Sequence, residues 1–474
     1  MKLNELTIKE AEDGLRSKKF SSVELTIACL EQIKKYNKEL NVFITITEKE
    51  ALYAAKKADK QLNNGTIEQW NNSPLLGIPI ALKDLFSTKG IKTTAASKVL
   101  RDYIPPYDAT VVKKLKDAGA VIIGKTNHDA WGHGGSGENS DFGQTKNPWN
   151  QEYVPGGSSS GSGASVAADM CLAATGTDTG GSSRLPAAFC NVVGFKPTYG
   201  RVSRYGIISM ASSLDSIGHL TKTVEDSALI LNITAGQDVH DATTSNEKFQ
   251  DYAKNLKNGV RGIKIARPKE YFTQGLDIQI KRLTEDALKK YEMLGAEIID
   301  VSLPHTEYAN PCYYIIQPAE VSSNLAKYDG IRYGFPRENF GDEAKRRIML
   351  GTYILSAGYY DTYYKKAMQV RTLIKQDFDK AFEKVDAIIT PVSPTPPWKL
   401  GEKINDPLKM YLSDIFTVTA NLAGIPGLSV PMGFVNELPV GMQILGPQFS
   451  EGLLFQIGHA YEQISEWYKR KPKL

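Results

Sequence analysis

Between Gly156 and Gly163 the chain consists of glycine and serine alone, GGSSSGSG. A short run of small residues follows, then the apolar Cys171-Leu172-Ala173-Ala174, then a second turn of the same character, Thr179-Gly180-Gly181-Ser182. Glycine reaches backbone angles closed to other residues and lets a ligand approach the main chain. Two serine-dense glycine turns bracketing one helix would gather backbone N–H donors and hydroxyl nucleophiles, the parts needed to attack a carbonyl carbon. The plain alternative is a flexible Gly/Ser linker. Against it, the run opens directly into an apolar helix and strand rather than into more polar sequence.

Other glycine motifs fit less well. A P-loop would end in Gly-Lys-Ser/Thr, but Ala164-Ser165 follows Gly163; a dinucleotide fingerprint starting at Gly161 would need glycine where Val166 stands. The nucleophile-elbow pattern G-x-S-x-G matches at Gly157 to Gly161 with Ser159 at its centre, but the polar segment before it ends in Pro155, where an elbow needs an apolar strand. Lys83 closes the apolar run LLGIPIAL. On spacing alone it reads as a solvated strand terminus; the functional alternative is a desolvated lysine whose pKa falls toward neutrality. His128, His133, Glu138 and Asp141 form no ligand pattern for a metal, and the two histidines read as solvated or hydrogen-bonded loop residues.

These candidates need a large framework, and 474 residues with 41% hydrophobic and 23% charged content can build one. A net charge of +4 gives no reason to expect a nucleic-acid surface. The four cysteines include no C-x-x-C pair, which argues against structural zinc and for a reducing compartment. The N-terminal residues hold no apolar run of signal-peptide or membrane-span length, so a cytoplasmic protein without a membrane segment is expected. Capping boxes at Thr7-x-x-Glu10 and Ser21-x-x-Glu24 open two helices, and a third spans about 48–62 and frays into Asn63-Asn64-Gly65. Helices then alternate with short apolar strands: 75–82, 120–124, 262–266, 296–301, 386–390, 428–430 and 440–445. That alternation predicts an α/β protein on a largely parallel sheet. After Pro304 the chain reads as more helical, with helices near 310–327, 342–356, 361–383 and 407–423.

Taken together, Gly156-Gly157-Ser158-Ser159, Asp178-Thr179-Gly180-Gly181-Ser182 and Lys83 after LLGIPIAL resemble the motifs of the amidase signature family of serine amidohydrolases. The likeness runs essentially end to end and is closest to the glutamine-hydrolysing members that serve tRNA-dependent amidotransferases. It implies a single α/β/α domain, a mixed central sheet covered by helices on both faces and a site at one sheet edge. Residues 1–65 would be an N-terminal helical layer and 66–474 the catalytic core. It further implies a Ser-cis-Ser-Lys triad of Ser182 as nucleophile, Ser158 as bridge and Lys83 as base, with Thr179, Gly180, Gly181 and Ser182 supplying the oxyanion hole. Arg347 and Asp414 would hold the α-carboxylate and α-ammonium of glutamine, with Tyr313, which adjoins Tyr314, as a substrate contact. No metal or cofactor is implied in this chain. ATP and Mg²⁺ would sit on a partner, and two further subunits, B and C, would complete a complex that engages mischarged tRNA mainly through the partner.

The sequence departs from that pattern in a shortened segment between Tyr333 and Lys345, in Ser160, and in Ser183 and Leu185 after the nucleophile. None of these touches the triad. A stand-alone amidase acting on small or aryl amides, and an inactive scaffold, are the competing readings. The intact triad argues against the scaffold, and Arg347 with Asp414 favours glutamine over aryl amides.

Overall fold

The apolar runs become strands of one mixed sheet. The computed structural model describes residues 2–64, 73–248, 250–273, 275–332 and 334–474. The eleven strands are β1 (Phe43–Ile46), β2 (Pro79–Lys83), β3 (Val121–Thr126), β4 (Ala173–Asp178), β5 (Val193–Lys196), β6 (Ser216–Thr221), β7 (Lys264–Pro268), β8 (Glu297–Val301), β9 (Ala387–Pro391), β10 (Gly427–Val435) and β11 (Leu438–Leu445). Their order is β1-β3-β2-β4-β6-β5-β10-β11-β9-β7-β8. β3, β2 and β4 run parallel, as do β9, β7 and β8, and antiparallel pairings join the two groups. The fold is thus mixed α/β, with parallel pairing confined to these two groups.

Both capping boxes form. The Thr7 and Ser21 hydroxyls accept the N–H of Glu10 and Glu24, whose carboxylates accept the N–H of Thr7 and Ser21 in return. The N-terminal segment is more than a helical layer, because β1 pairs antiparallel with β3 at the sheet margin. The boundary at 65/66 and Tyr333 lie outside the described residues. β5 and β6, unpredicted from sequence, bridge β4 to β10.

This order decides where the site sits. β2 and β4 are interior strands, so the expected position at a sheet edge is replaced by one at the carboxyl ends of neighbouring parallel strands, where α/β sheets open a crevice. β2 ends on Lys83, β3 on Thr126 and β4 on Asp178, and each leads straight into a loop of the site. The segment predicted as one helix over 407–423 is broken into Pro407–Tyr411, a single 3-10 turn Leu412–Asp414, and Val418–Ala423. The break turns Asp414 toward the same region.

Candidate active site

Lys83 is wholly buried, not a solvated terminus. Its Nζ donates to Ser158 Oγ at 2.8 Å, to Thr177 Oγ1 at 2.8 Å and to Ser159 Oγ at 3.0 Å. Burial drives its pKa down, and the negative charges of Asp129, Asp178 and Asp215 only partly restore it, leaving a value of about 7. A neutral amine keeps two N–H donors and gains a lone pair, so one of the three hydroxyl contacts can reverse and donate to nitrogen. Ser159 is less suited to that reversal, since its own hydroxyl donates to the Thr177 carbonyl. The peptide bond between Gly157 and Ser158 is cis.

The two glycine turns meet through their backbones, Ser159 N–H donating to the Ser182 carbonyl at 3.1 Å. Ser182 is 8% exposed, against 1% for Ser158 and 0% for Ser159, and its hydroxyl makes no hydrogen bond to a described residue. Of the three serines it is the one open to an incoming ligand. Around it the N–H groups of Thr179, Gly180 and Ser182 have no acceptor among the described residues. Gly181 differs from expectation: its N–H turns back to Asp178 Oδ1 at 2.9 Å and is not free for an oxyanion. It serves by conformation instead, with φ at +129° and no room for a Cβ, which would fall 2.3 Å from Thr417 Oγ1.

A buried ion pair that sequence reading did not single out shapes this turn. Arg184, fully buried, donates to both oxygens of Asp178 (3.1 and 3.0 Å), to Gln443 Oε1 (2.6 Å), to Asn421 Oδ1 (2.7 Å) and to the Thr417 carbonyl (3.0 Å). Asp178 in turn accepts the N–H of Gly181 and Ser183. Burial would raise the Asp178 pKa, but the Arg184 charge and hydrogen bonds outweigh it and hold the group at about 2. Thr179 is pinned from the other side by its hydroxyl on Asp215 Oδ1 at 2.7 Å. Arg184→Ala should therefore lower unfolding free energy by about 3–5 kcal/mol, because it leaves a buried carboxylate without its partner. Chemical denaturation reads this out, and a loss below about 1 kcal/mol, the ordinary effect of an uncritical substitution, would remove Arg184 from the turn's support.

On the far side of the turn the three residues expected to read a substrate converge. Tyr313 covers Gly180 so closely that a Cβ there would lie 2.8 Å from its ring and hydroxyl oxygen. The Tyr313 hydroxyl has no partner among the described residues, whereas Tyr314 donates to Asp414 Oδ2 at 2.8 Å. The Arg347 guanidinium lies over the Tyr314 ring, 5.5 Å from its centroid. Tyr314 thus has the cation on its face and the carboxylate on its hydroxyl. Thr417 connects this group to the Ser182 turn, its N–H donating to the Asp414 carbonyl at 2.9 Å and its hydroxyl to the Gly180 carbonyl at 2.5 Å. Burial raises the Asp414 pKa to about 6, against the opposing effects of Tyr314 and Arg347. After the shortened segment, Arg347 is buried and ion-paired to Glu343 at 2.7 Å.

His128 and His133, expected as solvated or hydrogen-bonded loop residues, are both fully buried: His128 is hydrogen-bonded, its Nδ1 2.7 Å from the Asp129 carbonyl, whereas neither ring nitrogen of His133 has a partner among the described residues. Burial and nearby positive charge, Lys83 for His128 and Arg347 for His133, hold both rings well below the usual imidazole pKa. No group of three or more His, Cys, Asp or Glu side chains among the described residues is arranged to hold a metal ion. Among the same residues no helix is long and apolar enough to cross a membrane.

A buried lysine bonded to serine hydroxyls at the ends of parallel strands, facing a glycine turn with free N–H donors, is equipment for acyl transfer. The family model described as Amidase matches residues 24–455, and the chain belongs to that family and is an enzyme of the amidohydrolase/amidotransferase class. Among curated relatives, the A subunit of glutamyl-tRNA(Gln) amidotransferase from Carboxydothermus hydrogenoformans is 52% identical over 489 residues, with all of both chains covered. Its namesake from Geobacter metallireducens is 53% identical, with 99% of each chain covered. Among solved structures, the A subunit of glutamyl-tRNA(Gln) amidotransferase from Thermotoga maritima superposes with a TM-score of 0.81 at 44% identity, covering 97% of this chain and 95% of that one. A bacterial aryl acylamidase of the amidase signature family superposes with a TM-score of 0.87 at 26% identity, covering 98% of this chain and 97% of that one.

Proposed function

We propose that this chain is the glutamine-hydrolysing component of a tRNA-dependent amidotransferase. One observation carries the choice of substrate: a cation and a carboxylate, Arg347 and Asp414, meet on Tyr314 beside the Ser182 turn. An α-amino acid presents a carboxylate and an ammonium on one carbon, so paired opposite charges suit it. In this reading Ser182 Oγ attacks the side-chain amide carbon of glutamine. Its proton passes to Ser158, and the Ser158 proton passes to neutral Lys83. The N–H groups of Thr179, Gly180 and Ser182 receive the oxyanion, each such donor contributing about 3–4 kcal/mol to the transition state. The C–N bond then breaks, the proton returns from Lys83 through Ser158 to nitrogen, and ammonia leaves. Water hydrolyses the glutamyl ester on Ser182, releasing glutamate and the free serine.

The ammonia would serve a partner that converts Glu-tRNA(Gln), Asp-tRNA(Asn) or both to the amidated forms. The subunits called B and C in such complexes are the proposed partners, with ATP, Mg²⁺ and most of the tRNA on the partner's side, in the cytoplasm. The full-length likeness to amidotransferase A subunits supports this assignment over a stand-alone amidase.

Arg347→Ala tests the substrate. It should raise KM for glutamine by about two orders of magnitude, because the substrate carboxylate loses a charge-assisted partner worth several kcal/mol. Hydrolysis of a simple amide such as propionamide should change far less. Equal losses on both substrates would mean that Arg347 supports the fold and does not read glutamine.

A further inference from the structure

A cavity of about 540 Å³ has Arg347, Tyr314, Tyr411 and His133 among its walls, and Tyr314 joins it to Asp414 next to the Ser182 turn. Arg347 commits Nε to Glu343 (2.7 Å) and one NH1 hydrogen to Gln317 Oε1 (2.8 Å), and the remaining arm of its fork has no acceptor among the described residues. A guanidinium only donates, so Gln317 must turn its oxygen to it. That orientation leaves Nε2 of a fully buried side chain without an acceptor, next to the same arginine. His133 is also 0% exposed, and neither of its ring nitrogens has a partner among the described residues. Buried donors left unmade are costly and are kept where a ligand completes them.

We propose that His133 and Gln317 are specificity-determining residues that join Arg347 in receiving the substrate's α-carboxylate, His133 through a ring N–H and Gln317 through Nε2. The inference rests on the glutaminase reading above and extends it to two side chains. A neutral imidazole offers one donor and one acceptor, and burial together with the Arg347 charge keeps His133 neutral. Three donors from three segments then face a group with four lone-pair positions. An arginine alone can donate to a carboxylate in several orientations, whereas three fixed donors also set its plane and so place the side-chain amide at Ser182.

The test compares L-glutamine with 4-aminobutanamide, the same amide without the α-carboxylate. His133→Met and Gln317→Leu should each raise KM for glutamine roughly 10- to 100-fold, the effect of losing one hydrogen bond to a charged group, with kcat changed much less. Their kcat/KM for 4-aminobutanamide should move little, so the selectivity between the two substrates collapses. His133→Gln, which keeps a donor, should recover part of it, and Gln317→Glu should be worst, since it repels the carboxylate and neutralises Arg347. Thermal unfolding of each variant separates a packing role. Equal loss on both substrates alongside a lowered Tm, or an unchanged glutamine KM, overturns the proposal. If wild-type protein turns over 4-aminobutanamide but neither binds nor hydrolyses glutamine, the glutaminase reading itself falls and the inference with it. If wild-type protein uses glutamine and only the variants fail to respond, the inference alone falls.

Discussion

The Ser182→Ala variant should lose glutamine hydrolysis by at least about four orders of magnitude while keeping its fold, since removing a nucleophile leaves only oxyanion and binding contributions. The substitution deletes one oxygen that makes no hydrogen bond to a described residue, so the turn, held by Asp178, Arg184 and Thr417, should stay in place. In a complex reconstituted with its partner subunits, the variant should fail to amidate mischarged tRNA from glutamine. It should still do so when an ammonium salt is supplied, because the phosphate-dependent step would belong to another polypeptide. A stand-alone amidase would form no such complex and show no tRNA-dependent activity with any donor. Substantial glutaminase activity in the variant would reject Ser182 as nucleophile and return attention to Ser159, which also contacts Lys83.

Lys83→Ala should be nearly as damaging, and Lys83→Arg no better, because a guanidinium keeps its proton at any working pH. The wild-type profile follows from the sign of the shift. Burial lowers the Lys83 pKa from 10.5 to about 7, so the neutral base predominates above that value and is lost below it. Activity on glutamine should rise with pH and level off above about 7, falling about ten-fold per pH unit on the acid side. Asp414, raised to about 6 by burial, adds a second acid-side loss that appears only with substrates bearing an α-ammonium, as its carboxylate becomes neutral. Comparing the kcat/KM profiles of glutamine and propionamide separates the two groups: the Lys83 limb should appear with both and the Asp414 limb with glutamine alone. An active Lys83→Arg variant, or a profile flat from about pH 5 to 9, would refute the general-base role.

The stretch from Gly156 to Ser182 and the strand LLGIPIAL are legible in the sequence because they depend on local chemistry: glycine density, hydroxyls and an apolar run of strand length. The two capping boxes were legible for the same reason, as each closes within three residues. Other elements carried little local signal. β5 has four residues and β6 reads SIGHLT, too short or too polar to stand out. Lys83 shows the division most directly. Its spacing suits a solvated terminus, and it is buried against serine hydroxyls only because β2 pairs with β3 on one side and β4 on the other, closing water out. The same holds for Gly181, whose N–H is claimed by Asp178, and for Arg184, whose partners Gln443 and Asn421 are 259 and 237 residues away. The sequence by itself determined which groups could act and where the chain could turn, since short-range sterics and hydrogen bonding govern both. Only the tertiary structure decided which of them are desolvated, which hydrogen bonds are already taken and which donors remain free for a substrate, because those depend on neighbours that sequence distance does not reveal.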